Sequence, residues 1–437
     1  MNRIGSRILH LILIVMIGLS FYLTYLIWVS PVSNETLVDD GSGKGLPEDK
    51  PLKAQKDVFL PLKLRYQEKE NNQETQNEPL LKTIQEFMNA STYSEGKMKT
   101  HKNTLDYQRS VAMTSGIELS YALDFPLKEY LQIFRFDLAT VDEQEEIFKF
   151  SKIQVDFANQ RLRFLNDQSL SVFEAKIESD LTDLSVLVEQ ADVQWVALEK
   201  IPTFLNNHYL TKDALKLKKY SYISSTRPYT IFRDAFFSNP NSVRSNSSVL
   251  DTYLYEGSES LTIKQHQEII YFQGSTTTAI PFDIFSTSFN YVANIGASYG
   301  STRILDQLRN KIDYRIFVEG FPIFSPSYEG RISFDFQEMN ESNELNVTIQ
   351  GNLDSLQIPI PSEEVVVLPA SQVVIETLYD KGLDPNLVQT LLIGYEWKNL
   401  EDTGVVDLIP HWYIKYGEEW FSYEELLQLL TIEEKGE

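Results

Sequence analysis

The sequence predicts an α+β protein in which a single N-terminal transmembrane helix is followed by three mixed α+β extracellular modules with antiparallel sheets. Two observations lead to this. An uncharged apolar run, Ile8 to Val29, stands behind Arg3 and Arg7 and ahead of about 400 mostly polar residues. Beyond it, short segments with period-2 alternation are joined by Gly, Asn and Asp turns and interleaved with amphipathic stretches of helical period.

The apolar run has 22 residues, enough to cross a hydrocarbon core of about 30 Å at about 1.5 Å per helical residue. Its exit, Ile27-Trp28-Val29-Ser30-Pro31, lacks the small-x-small pattern of a cleavage site, so it reads as an uncleaved signal anchor. The positive-inside bias leaves Arg3 and Arg7 in the cytoplasm, with Tyr22, Tyr25 and Trp28 near the outer interface. Residues 1–7 are then a cytoplasmic tail, 8–29 the helix, and 30–57, rich in Gly, Pro, Asp and Lys, a flexible tether. Three modules follow: 58–207, 208–311 and 312–437.

In the first module, Val58 to Tyr66 reads as a strand, QEKENNQETQNEP as a polar loop, and Pro79 to Met88 as a helix built on Leu80, Leu81, Ile84 and Phe87. Ile117 to Phe125 is strand-like and precedes a helix-like PLKEYLQIF, and residues 153–165 form a hairpin. The second module offers a helix over 228–237 and strands Val249–Tyr255, Ser260–Lys264 and Glu268–Phe272. Residues 281–311 read as more helical, with Ser301 as N-cap of TRILDQLRNK. The third is strongly β: YRIFVEG, GRISFDFQE, ELNVTIQG, Val388–Trp397 and Val405–Tyr416. A helix from Ala370 to Tyr379 stops at Gly382, and Ser422-Tyr423-Glu424-Glu425 is a capping box opening the last helix.

Composition narrows the function. The chain has no cysteine, which removes disulfides and thiolate metal sites. A net charge of −23 argues against nucleic acid, whose phosphates demand clustered Lys and Arg. The five histidines are scattered without ligand spacing, and no glycine loop of nucleotide-binding type occurs, so neither metal nor cofactor is expected. Gly296-Ala297-Ser298-Tyr299-Gly300 spells a nucleophile elbow, between a strand-like FNYVANI and a helix. Its only downstream histidine is His411, and no oxyanion-hole motif lies upstream, so the reading is a glycine turn and no enzyme. Acidic pairs at 363–364, 418–419 and 424–425 read as solvated surface. Trp397, Trp412 and Trp420, with Tyr395, Tyr413 and Tyr416, read as a core with one wet edge rather than a carbohydrate platform. On the anchor, Leu11, Ile14, Gly18, Tyr22 and Tyr25 share one helical face, where Gly18 would admit a close neighbouring helix with the tyrosines hydrogen-bonding across, and Ser20 and Thr24 lie on another; a plain lipid-facing anchor explains these residues equally well.

Several segments, in order, resemble the YycH family of membrane-anchored regulators of the YycFG (WalKR) two-component system. They are LSFYLTYLIWVSP (19–31), IELSYALDFPLKEYLQIF (117–134), FRDAFFSNPNSVRSN (232–246), YLYEGSESLTI (253–263), FNYVANIGASYGSTRIL (289–305) and YRIFVEGFPIF (314–324). Two departures stand out: Ile-Gly-Ala-Ser at 295–298 replaces a His-Gly-Gly-Trp, and Glu259 replaces a basic hairpin residue. The resemblance implies a non-enzymatic auxiliary of a sensor histidine kinase, acting with a YycI-like paralogue through transmembrane and extracellular contacts in cell-wall homeostasis of a Gram-positive bacterium. The alternative from another class is a signal-anchored cell-wall hydrolase or esterase, or a wall-polymer-binding protein.

Overall fold

Apolar alternation is most regular in residues 115–126 and 149–176, and there the first sheet is centred. The computed structural model describes residues 54–436 except 139–146, 201–208, 248–250, 278–282, 297–299 and 339–343, together with Met16, Ile17 and Ser20. The chain divides into two units, Met1–Lys50 and Pro51–Glu437. In the first, Met16, Ile17 and Ser20 are helical; the rest of the expected transmembrane helix, and the tether up to residue 53, lie outside the described residues. Among the described residues no helix is long and apolar enough to cross a membrane.

The second unit begins with α1 (Gln55–Val58), β1 (Lys63–Glu68), β2 (Asn71–Thr75), α2 (Glu78–Ala90), β3 (Lys97–Thr100) and α3 (Thr104–Ser110). It continues through β4 (Ser115–Pro126), α4 (Leu127–Phe134), β5 (Lys149–Asp156), β6 (Arg161–Asn166), β7 (Ser171–Lys176), α5 (Thr182–Glu189), β8 (Val196–Lys200) and β9 (Tyr209–Leu210). The nine strands form an antiparallel sheet in the order β3-β7-β6-β5-β4-β1-β2-β8-β9. Helix α2 starts where Asn77 accepts the Leu80 N–H, with Pro79 in the first turn, and buries Leu80, Leu81, Ile84 and Met88. They join Leu64, Ile117, Leu119, Ile153, Val155, Leu162 and Phe164 from the sheet, each at most 1% exposed. Each such side chain contributes about 1.5–3 kcal/mol by leaving water. The expected strand from Val58 begins only at Lys63, because residues 55–58 turn as a helix. The expected polar loop contains β2, whose Asn72 and Glu74 bond to Arg65 or pair opposite it.

The other face of this sheet is charged. Lys97, Glu174, Arg163, Gln154, Glu118, Arg65 and Glu74 are successive register partners across seven strands. Arg65 Nη2 lies 2.9 Å from Glu118 Oε2, Gln154 Nε2 donates to Glu118 at 2.8 Å, and Arg163 Nε donates to Glu174 at 2.7 Å. Arg65, Glu118, Gln154 and Arg163 are all under 9% exposed, so each charge depends on its neighbour.

The remaining chain supplies β10 (Leu215–Lys218), β11 (Tyr220–Thr226), α6 (Thr230–Phe236), β12 (Arg244–Ser247), β13 (Asp251–Glu256), β14 (Glu259–Lys264), β15 (Ile269–Thr277), α7 (Ile284–Ile295), β16 (Thr302–Leu308) and β17 (Lys311–Val318). Then come β18 (Phe321–Phe324), β19 (Arg331–Glu338), β20 (Glu344–Asn352), β21 (Asp354–Ile360), β22 (Val365–Leu368), α8 (Ser371–Asp380), β23 (Val388–Leu400), β24 (Val405–Tyr416), β25 (Glu419–Ser422) and α9 (Tyr423–Gly436). Fourteen of these strands form one sheet in the order β12-β13-β14-β15-β20-β19-β17-β18-β23-β24-β11-β21, with β16 on β17 and β25 on β24. Strands from 208–311 and 312–437 share it: β15 pairs with β20 from Ile269↔Asn352 to Thr277↔Glu344. Among the described pairings β18 alone runs parallel to its neighbour, β23. β10 and β22 make a separate two-stranded sheet.

Two readings are corrected here. FNYVANI is not a strand but the second half of α7, capped by Asp283, which accepts the N–H groups of Phe285 and Ser286 at 3.0 Å. Ser301 caps no helix: TRILDQL is β16, paired with β17, packed against β4 of the first sheet and buried over Thr302–Asp306, so it lacks the alternation that marks a half-exposed strand. The capping box is present, with Glu425 accepting from Ser422 and its N–H returning to Ser422 Oγ. Gly382 has φ +93, the left-handed helix stop.

The β17–β18 turn approaches the first sheet so closely that a Cβ on Gly320 (φ +86) would sit 2.0 Å from the Gln76 carbonyl oxygen, whereas one on Gly404 (φ +66) would meet nothing. Gly320→Ala is therefore expected to cost about 3 kcal/mol and Gly404→Ala about 1 kcal/mol in chemical denaturation; equal costs would deny the close approach. Burial works to raise the Glu118 carboxyl, but Arg65, Lys152 and its hydrogen bonds outweigh burial and hold it near 2. Its ion pair contributes about 3 kcal/mol above the unfolded value of about pH 4.3. That contribution fades as pH falls towards 2. Acid titration of stability should show this slope in the wild type and its loss in Glu118→Gln.

Candidate functional site

The five anchor residues named from sequence, Leu11, Ile14, Gly18, Tyr22 and Tyr25, lie outside the described residues, as does Ser298. The order of elements around Ser298 is helix α7 then strand β16, the reverse of a nucleophile elbow. His411 is placed on β24, in a cavity of about 860 Å³ bounded by β17, β19, β24, β25 and the start of α9.

The cavity floor depends on a glycine. On β23, Gly394 lies opposite His411, and a Cβ there would be 2.6 Å from the Phe324 ring and 2.9 Å from that of Tyr413. Its bareness lets Phe324 and Tyr413 stack across it, with ring centres 3.7 Å apart and planes 10° from parallel. The Arg315 guanidinium covers the other face of Phe324 at 4.3 Å. Trp420 closes one side, its Nε1 donating to Asp306 Oδ2 at 2.9 Å, and Asp306 also holds the buried Lys415 ammonium.

Three arginines lie side by side under this floor, since Arg303 on β16, Arg315 on β17 and Arg331 on β19 are direct register partners. Asp313 sits 2.8 Å from Arg331 Nε and 3.7 Å from Arg315 Nη2. Arg303 donates to the carbonyls of Leu60 (3.2 Å) and Pro61. Burial lowers both Arg303 and Arg315 to about 10. Sequence reasoning did not single these residues out; the available signal was an arginine set inside apolar strands, as in TRIL, YRIF and GRISF.

On the opposite wall His411 stands between two carboxylates, Nε2 at 3.4 Å from Glu396 and Nδ1 at 3.4 Å from Glu424. The hydrogen bond with Glu424 raises the imidazole pKa against burial, and in return holds the Glu424 carboxyl below its ordinary value. Glu424 and Glu425 are thus not simply solvated. One pairs with the histidine and the other caps α9. Trp397 and Trp412 are core residues, 4% and 5% exposed, bonded to Asn399 and the Pro369 carbonyl. Glu259, where the family-like pattern carries a base, is buried and accepts from the N–H and hydroxyl of Ser238. No group of three or more potential ligands is arranged to hold a metal among the described residues.

Family models for the N-terminal and the C-terminal domain of YycH protein match residues 6–185 and 205–428. No curated protein sequence matches the chain at a significant level. The crystal structure of YycH from Bacillus subtilis shares the fold, with TM-score 0.67 at 14% identity, covering 86% of this chain and 98% of that one. With both family domains in series along most of its length, the chain belongs to the YycH family.

Proposed function

We propose that the chain is a non-enzymatic regulator of a YycG-type sensor histidine kinase in a two-component system controlling cell-wall metabolism, acting with a YycI-like partner. The observation that carries the reading is the family match, whose N-terminal model starts at residue 6 and so takes in the apolar run 8–29. In this reading residues 8–29 cross the cell membrane once, residues 1–7 are cytoplasmic, and the folded unit lies outside. The face formed by Leu11, Ile14, Gly18, Tyr22 and Tyr25 packs against kinase helices. Control of the kinase then requires that this face contact the two signalling states differently.

A second reading, a wall-polymer-binding protein or esterase, draws on the cavity beside His411; its esterase form requires an activity that Ser298→Ala and His411→Ala abolish.

Replacing residues 8–29 with polyleucine of equal length, at matched expression, should change kinase output about fivefold or more, and Gly18→Leu with Tyr22→Phe should move it in the same direction. Unchanged output in the polyleucine chain would overturn the transmembrane mechanism.

A further inference from the structure

One end of the first sheet gathers cations in a chain whose net charge is −23. A cleft of about 830 Å³ lies over β3, β7 and the start of β6, lined by Lys97, Lys99, Lys176 and Arg161. All four are exposed. The strand register sets them along a line: Lys99 is opposite Val172, Lys97 opposite Glu174, and Arg161 opposite Lys176. Cations therefore stand at three successive two-residue steps along β7, each about 7 Å from the next. Arg161 and Lys176 are direct cross-strand partners, a placement of like charges that is unfavourable without an anion between them. Of the two acids bordering the cleft, Glu174 is engaged by Arg161 and by Arg163, whose Nε donates to it at 2.7 Å, and the other is Glu95. None of the three lysines has an ion-pair partner among the described residues. Lysines on β3 alone would serve to protect the edge of the sheet, since β3 is its outermost strand. Lys176 and Arg161 belong to the inner strands β7 and β6, where there is no edge to protect.

The free groups of the cleft are ammoniums, which donate hydrogen bonds and accept none. An extended peptide lying there would bring a backbone N–H with each residue and find a single unengaged carboxylate, Glu95, to receive them. An anionic bilayer is a flat surface, and the charge of the whole chain repels it. The guanidinium forks that would select a carboxylate are committed to Glu174. What remains is a row of lysine point charges, which suits phosphate. We propose that this cleft binds a linear phosphodiester polyanion, with successive phosphates beside Lys99, Lys97 and the Lys176–Arg161 pair. A flexible chain carrying one phosphate per short repeat can meet charges set about 7 Å apart. The inference concerns the first sheet alone, so it stands or falls independently of the kinase reading.

The test is calorimetry of the purified full chain with a synthetic glycerol-phosphate hexamer, glycerol 3-phosphate and a capped hexaglutamate. The hexamer should bind with Kd of about 100 μM or tighter at low salt, and its affinity should fall with a log–log salt slope of about −2, the value for three neutralised phosphates on a single chain. Glycerol 3-phosphate should bind about tenfold or more weakly, and hexaglutamate about fivefold or more weakly. A chain with Lys97→Gln, Lys99→Gln and Lys176→Gln should lose about tenfold or more in hexamer affinity. One with Lys216→Gln, Lys264→Gln and Lys398→Gln, which removes equal charge outside the first sheet, should stay within about twofold of the wild type. Absence of hexamer binding, equal binding of the monomer or of hexaglutamate, a folded cleft variant with unchanged affinity, or equal losses in the two variants would each overturn the proposal. The three ligands decide the matter on the wild-type chain even if a variant does not fold.

Discussion

The arrangement of the two large sheets depends on residues 58–62, the first buried segment among the described residues of the folded unit. Phe59 is fully buried, with its ring centre 5.7 Å from Phe125 of the first sheet and 6.2, 6.0 and 6.4 Å from Phe285, Phe289 and Tyr314 on the other side. One and two residues on, the Leu60 and Pro61 carbonyls accept hydrogen bonds from Arg303, a cation only 1% exposed. Backbone carbonyls cannot be buried unpaired without cost, and an arginine cannot be buried without acceptors. The two carbonyls and the Arg303 Nη2 group satisfy one another, which ties the segment to β16. One hydrophobic cluster accordingly runs from Val58 to Leu408.

Arg303 also begins the row that ends at the cavity. Its register partner Arg315 lies over Phe324, and Phe324 stacks on Tyr413 across Gly394. The seam and the cavity are thus joined through two adjacent strands. A displacement of residues 58–62 would be felt at Arg315 through packed side chains rather than through a flexible linker. The charged row on the first sheet follows a similar logic: buried charges on adjacent strands hold one another in register, since a one-residue slip would turn every one of them to the apolar face.

Local signals were legible where one face of an element is polar. Helix α2, the strand and helix over 115–134, the hairpin at 149–166 and the capping box of α9 follow from periodicity and capping residues that act within a few positions. Element β16 was read as a helix because both its faces are covered, which erases the period-2 signal, and β2 was read as a loop because its side chains are polar partners of Arg65 rather than core. In the site, His411 and the aromatic pattern were visible, but their division into core (Trp397, Trp412) and cavity (Tyr413, Trp420) was not.

By itself the sequence determined the α+β class with antiparallel sheets and the family, because ordered local motifs carry both. It also supplied the apolar run at 8–29, whose role stays a proposal. Tertiary structure alone decided that strands distant in sequence share one sheet, that β18 joins β23 in parallel, and that Arg303, Arg315 and Arg331 stand abreast. Register between strands separated by many residues is fixed by which buried charges and rings can be satisfied together, and no local pattern encodes that.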